Sequence, residues 1–351
     1  MRNLFIILLA IAIASCGNSK KGKDEKQSKA NIAAAGATFP LPFYNLAFKT
    51  YQEKAGTTVT YGGIGSGGGI RSLKDKIVDF GGSDAYLTDQ EMQEMPAAVV
   101  HIPTCMGAVV IAYNLPDIKD LKLSGEIVAD IYLGKITKWN DKAIQELNPG
   151  LQLPNQDINP VYRSDGSGTT FVFSDYLTKV SDEWKEKIGA GKSLKWPTGL
   201  AAKGNPGVAG TVSQTPGAIG YVGSEYAFAL NMPMAQMRNS SGNFIVPTTE
   251  SISAAASGEI PADTRTMITN PTAADAYPIS CFTWIILYKE QAYADRTQAQ
   301  AKATVDLLKW MISPEAQALT TKVHYSPLPQ SAVNNAQALL NSVTFNGQAI
   351  N

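Results

Sequence analysis

Residues 57–76 read TTVTYGGIGSGGGIRSLKDK. The first five residues are β-branched or aromatic, as a strand prefers. Residues 62–69 follow as a glycine loop around one serine, Ser66, and residues 70–76 take up helical spacing. Strand, glycine turn and helix make the repeating unit of α/β sheets. The same grammar extends both ways. Upstream, residues 31–37 form a small apolar strand that turns at Gly36. Pro40 opens a helix carrying Phe43, Ala47 and Tyr51 on one face, and Gly56 stops it. Downstream, residues 78–80, 106–113, 161–163, 219–222 and 282–288 read as strands. Helices are expected over residues 169–177 and 301–312. The fold class is α/β.

Three segments share one design, a strand end followed by small and hydroxyl residues and then a helix start. They are Gly36-Ala37-Thr38-Phe39-Pro40, Gly65-Ser66-Gly67-Gly68-Gly69 and Ser164-Asp165-Gly166-Ser167-Gly168-Thr169. A helix start leaves backbone N–H groups unpartnered and carries partial positive charge. Glycine lets that backbone approach a ligand, and Ser or Thr adds hydroxyl donors. An anion can be held in this way by dipoles rather than by a lysine cluster. Each loop taken singly also fits an ordinary cap and turn. Gly63-x-Gly65-x-x-Gly68 formally matches a dinucleotide fingerprint. Gly191-Lys192-Ser193 resembles the end of a P-loop, but Glu186 stands where its first glycine belongs. No serine sits in a Gly-x-Ser-x-Gly elbow.

The N-terminus has a different character. Met1-Arg2-Asn3 precedes an apolar run of eleven residues, 4–14. A membrane-spanning helix needs about 20, so the run has the length of a signal-peptide core. It ends in Ile13-Ala14-Ser15-Cys16, which resembles a bacterial lipobox with Cys16 as the lipidated residue. Residues 1–15 are therefore expected to be a signal peptide and residues 16–30 a lipidated flexible tether. The implied location is a membrane surface outside the cytoplasm. An exported protein has little access to NAD, which argues against the dinucleotide reading.

The chain has 351 residues, 30 basic and 30 acidic, and 17% charged residues against roughly a quarter in an average protein. Residues 1–30 hold six basic and two acidic residues, which leaves the body 24 against 28. That mildly acidic body excludes nucleic-acid binding through bulk charge. Two histidines, His101 and His324, cannot build a multi-His metal centre and supply few hydrolytic bases. Neither lies in the three loops, and no carboxylate cluster has a metal-binding pattern. No metal and no cofactor is expected. Cys105 and Cys281 have no spacing motif and fit buried core thiols, although export would permit a disulfide.

The three loops, together with Tyr61-Gly62-Gly63-Ile64, Val78-Asp79-Phe80-Gly81-Gly82-Ser83-Asp84 and Arg163, resemble the phosphate-binding proteins of bacterial high-affinity phosphate ABC importers. Asp130-Ile131-Tyr132-Leu133-Gly134-Lys135-Ile136, Pro216-Gly217-Ala218-Ile219-Gly220-Tyr221-Val222 and Ser326-Pro327-Leu328-Pro329 extend the resemblance over nearly the whole body. It implies a two-domain periplasmic-binding-protein fold of type II-like form, two α/β lobes on a two-crossing hinge. Domain I would be residues 31–103 and 280–351, and domain II residues 104–279. Phosphate would bind in the cleft between them, and the partners would be the permease subunits of the importer. The mature protein is expected to be a monomer.

By matching position, the ligand set is Thr38, Phe39, Ser66, Asp84, Arg163, Ser167, Gly168 and Thr169. Arg163 supplies a two-pronged donor, with Asp165 near enough to hold it in a salt bridge. Asp84 would repel an anion unless the anion brings a proton. Hydrogen phosphate does and sulfate does not, so Asp84 would separate the two. Without the resemblance, Asp84 would fit an ordinary turn or cap. Tyr86 departs from the family pattern, where Pro is expected. Cys105 and Cys281 fall near the two crossings, where adjacent hinge strands could join them as a disulfide. The alternatives are a binder of another tetrahedral oxyanion such as sulfate, a secreted phosphatase, or a surface adhesin or signalling lipoprotein on the same fold.

Overall fold

A computed structural model describes residues 30–350 of the chain. The signal peptide, Cys16 and nearly all of the tether lie outside the described residues. Eight strands form the main sheet: β1 Asn31–Gly36, β2 Thr58–Gly63, β3 Phe80–Ser83, β4 Val99–Tyr113, β5 Asn159–Arg163, β6 Leu200–Ala202, β7 Ala218–Gly223 and β8 Ser280–Tyr288. Their order is β2-β1-β3-β8-β4-β7-β5-β6. β4 joins the two halves. Its 15 residues are all buried; Val99 to Ala108 pair with β8, and Val109 to Tyr113 pair with β7. β1, β2 and β3 are mutually parallel, as are β5, β6 and β7, whereas β4 and β8 run antiparallel to their neighbours. Parallel pairs need crossover helices, which explains the strand–helix alternation of the sequence. The result is the two-lobed α/β architecture.

The helix Leu41–Ala55 buries Phe43, Tyr44, Ala47, Phe48 and Tyr51 and ends at Gly56, which is left-handed at φ 72. The next helix differs from expectation. It spans Ser66–Lys74 and thus begins inside the predicted glycine loop. Gly69 explains this. A Cβ there would lie 2.5 Å from Gly36 Cα and 2.6 Å from the Ala35 carbonyl oxygen. The glycine run therefore lets a helix start lie directly on β1, rather than forming an extended loop. β3 also starts two residues later than expected and delivers Ser83 and Asp84 to the end of the strand.

Cys105 and Cys281 are buried free thiols, as core cysteines would be, and the hinge disulfide that the resemblance allowed does not form. Cys105 stands opposite Thr283, and Cys281 opposite Gly107. The two cysteines are thus diagonal neighbours on adjacent strands. Such pairs lie about 7 Å apart, whereas a disulfide needs Cβ atoms about 4 Å apart. Burial pushes both thiols well above their ordinary pKa. No helix among the described residues is long and apolar enough to cross a membrane.

Candidate functional site

The three loops and the end of β3 meet between the lobes. Gly67 N–H donates to the Gly166 carbonyl at 2.9 Å, so the second and third loops touch backbone to backbone. Gly168 N–H donates to Ser66 Oγ at 3.0 Å, and Thr169 Oγ1 donates to Asp84 Oδ2 at 3.3 Å. Asn205 N and Nδ2 each donate to Thr38 Oγ1 at 3.0 Å. Lys192 adds a bridge farther out, with Nζ 2.7 Å from Glu91 Oε1, and its carbonyl accepts Ser167 N–H.

Local structure explains each position. Ser167 caps the helix Gly168–Val180, and its hydroxyl accepts Thr170 N–H. Gly168 and Thr169 therefore occupy the first turn, where N–H groups are unpaired within a helix. Thr38 and Phe39 lie between β1 and its helix, with Phe39 fully buried. Arg163 ends β5. Its Nε and Nη2 donate to both oxygens of Asp165 at 2.7 and 2.6 Å, and Nη1 lies 3.4 Å from Thr169 Oγ1. One edge of the guanidinium is thereby fixed, and the remaining N–H groups are free to meet an anion. Burial opposes ionisation of Asp165, but its bonds from Arg163 prevail and hold the carboxyl below the usual range.

Asp84 is 1% exposed. Its Oδ1 accepts from Thr283 Oγ1 at 2.8 Å. Burial pushes its pKa up to about 7 against the lowering influence of Thr283, Arg163 and Thr169. This has a definite sign for stability. Below about pH 4 the carboxyl is protonated whether the chain is folded or unfolded. Between about 4 and 7 only the folded state holds the proton; above 7 the folded state carries the full cost of a buried charge. Ligand-free protein should lose stability across that window, with a slope on the order of 1 kcal/mol per pH unit from this group. Thermal melts at pH 5 and pH 8 check this. Asp84→Asn should gain on the parent as pH rises; parallel behaviour would contradict the assignment.

Neither histidine serves as a base here. His101 Nε2 accepts Leu87 N–H at 3.0 Å, and burial, aided by Arg265, pushes its pKa down to about 3. His324 stacks on Phe228 at 4.8 Å. No group of three or more metal-ligating side chains occurs among the described residues. A cavity of about 530 Å³ lies in the second lobe beside Tyr176 and Arg238, and none of the eight predicted ligand residues lines it.

Residues 22–315 match the family model described as a PBP superfamily domain. The chain is 42% identical over 332 residues to the phosphate-binding protein PstS of Xylella fastidiosa strain 9a5c, covering 93% of this chain and 89% of that one. It is 41% identical over 312 residues to the PstS of Pasteurella multocida, covering 88% and 89%. The chain belongs to the PstS family of phosphate-binding proteins. Its fold also matches PfluDING, a high-affinity periplasmic phosphate-binding protein solved with phosphate. That match has a TM-score of 0.71 at 23% identity and covers 88% of this chain and 93% of that one.

In this PstS family member hydrogen bonds join six of the eight predicted ligand residues, Ser66, Asp84, Arg163, Gly168 and Thr169 directly and Thr38 through Asn205, and Phe39 and Ser167 adjoin them in the chain. Tyr86, the departure from the family pattern, packs edge-on against Trp284 at 6.0 Å and lies under Arg265. It displaces no donor of the cradle. Sequence reasoning missed Asn205, which is fully buried. The signal was present, because Ala202-Lys203-Gly204-Asn205 is a fourth strand end leading into a helix start, with Gly204 at φ 69 and the helix Gly204–Gln214 following.

Proposed function

We propose that this chain is the extracytoplasmic solute-binding protein of a phosphate ABC importer. It captures inorganic phosphate between its lobes and hands it to the permease. The observation that carries this reading is a cradle of donors around one buried carboxylate, Asp84, drawn from both lobes. Phosphate oxygens would take the hydroxyls of Thr38, Ser66 and Ser167, the Phe39 N–H and the outer edge of Arg163, and would draw the Gly168 N–H and the Thr169 hydroxyl away from Ser66 and Asp84, to which they otherwise donate. The proton of hydrogen phosphate would go to Asp84. β4 and β8 would act as the hinge between domain I, residues 31–103 and 280–351, and domain II, residues 104–279. Ligand would shift the open-to-closed equilibrium.

Cys16 would carry the lipid that holds the protein, as a monomer, on a membrane surface outside the cytoplasm. The chain would break no bond, since catalysis needs an activated nucleophile or a metal. Asp84→Asn tests the selectivity. Asn can present a donor to sulfate, so the preference for phosphate over sulfate in competition titrations should fall at least about tenfold. An unchanged preference would remove Asp84 from this role.

A further inference from the structure

Three of the cradle's four hydroxyls share a feature beyond their position. Thr38 Oγ1 accepts two N–H bonds, from Asn205 N and Asn205 Nδ2, both at 3.0 Å. Thr169 Oγ1 accepts Asn205 Nδ2 at 3.1 Å and Arg163 Nη1 at 3.4 Å. Ser66 Oγ accepts Gly168 N at 3.0 Å and Asp84 N at 3.4 Å. A hydroxyl has two lone pairs and one proton. With both lone pairs filled, each of these groups can only donate. The orientation of the Asn205 amide is itself fixed, because its Oδ1 accepts Gly223 N–H at 3.0 Å and its NH2 must therefore face the threonines.

We propose that Asn205 is a positioning residue that sets the direction of the Thr38 and Thr169 hydroxyl protons, so that Asp84 rather than either threonine is left to accept a proton from the bound anion. Two of the cradle's four hydroxyls, Thr38 and Thr169, take this direction from Asn205, whereas Ser167 Oγ accepts Thr170 N–H. Thr169 then directs its proton onto Asp84 Oδ2. Thr38, bonded twice to Asn205, has its proton free for an anion oxygen. A ligand proton placed at either threonine would meet another proton. Selectivity for a singly protonated anion thus rests on Asn205 as well as on Asp84. This inference rests on the phosphate reading of the site.

The test is a double-mutant cycle on the full chain with inorganic phosphate at pH 8, using Asn205→Ala, Thr38→Val and the pair, each with a thermal melt. Asn205→Ala should weaken phosphate binding roughly tenfold, as the loss of one to two ordered hydrogen bonds implies. With Thr38 already replaced by valine, the same change should cost at least about threefold less, because part of its target is gone. Asn205→Asp keeps the Gly223 bond but turns the donor into an acceptor, which reverses the threonine hydroxyls; it should bind less well than Asn205→Ala. Equal penalties in both backgrounds would overturn the proposal and leave Asn205 a structural residue. Parental affinity in Asn205→Ala would do the same. If Asn205→Asp fails to fold, the alanine cycle decides alone. A parent protein that takes up no phosphate would instead bring down the functional reading, and this inference with it.

Discussion

Replacing Arg163 by methionine is expected to weaken phosphate binding by roughly 30- to 4,000-fold. Removing one partner of a buried, hydrogen-bonded charge pair costs about 2–5 kcal/mol, and each 1.4 kcal/mol is tenfold in affinity. Arg163 is the sole side chain with a full positive charge in the proposed ligand set. Its side chain is 1% exposed, and Asp165 fixes its plane through two bonds. The variant should also melt lower without ligand. Asp165 would keep the Gly204 N–H at 3.0 Å but lose both guanidinium bonds. Arg163→Lys should fall between, since an ammonium keeps the charge but cannot bond Asp165 and an anion in one plane. Calorimetric titration gives the affinities; a methionine variant that binds within threefold of the parent would remove Arg163 from the site.

Gly168→Ala is expected to weaken binding by roughly 10- to 100-fold by a different route. A Cβ on Gly168 would lie 2.5 Å from Ser66 Oγ, 2.7 Å from Asp84 N and 2.8 Å from Asp84 Cβ. Those atoms belong to the opposite lobe, so the methyl obstructs closure rather than folding. Overpacking of this kind costs about 1–3 kcal/mol. The melting temperature without ligand should therefore stay near that of the parent, while the stabilisation by saturating phosphate shrinks. A large drop in ligand-free stability with unchanged affinity would mean that Gly168 matters to its own lobe alone.

The two residues illustrate what a sequence makes legible. Arg163 and the third loop could be read because a strand end followed by Ser, Gly and a helix start has a local chemical meaning. The sequence 163–169 contains the whole of that meaning. Only the family resemblance singled out Asp84 as a carboxylate facing an anion, and its bond to Thr283 was legible neither from the resemblance nor from the residues around it. That bond joins positions 199 apart, and no local spacing encodes it. The start of the helix at Ser66 was missed because glycine reads as a loop former; here it serves close packing against β1 instead. Cys105 and Cys281 were placed on adjacent strands correctly. Their register, two residues off opposite, decides that they stay thiols, and register follows from pairing across the whole sheet. Asn205 escaped because its loop lacks the serine and threonine that marked the others. Its importance lies in contacts to Thr38 and Thr169, 167 and 36 positions away.

In the proposed reading, selection in this cradle works by proton placement. Hydroxyls and N–H groups point inward as donors around the buried Asp84 carboxylate in a body of net negative charge. The most direct test is calorimetry of the parent protein at pH 8 with phosphate and with sulfate. At that pH Asp84, with a pKa of about 7, is mostly ionised, and the phosphate still carries a proton for it. A site that leaves a buried polar group unpaired rejects the wrong ligand by roughly 10⁴-fold. Phosphate should bind tightly, with sulfate weaker by about 10³-fold or more. Equal affinity for the two anions would contradict the account.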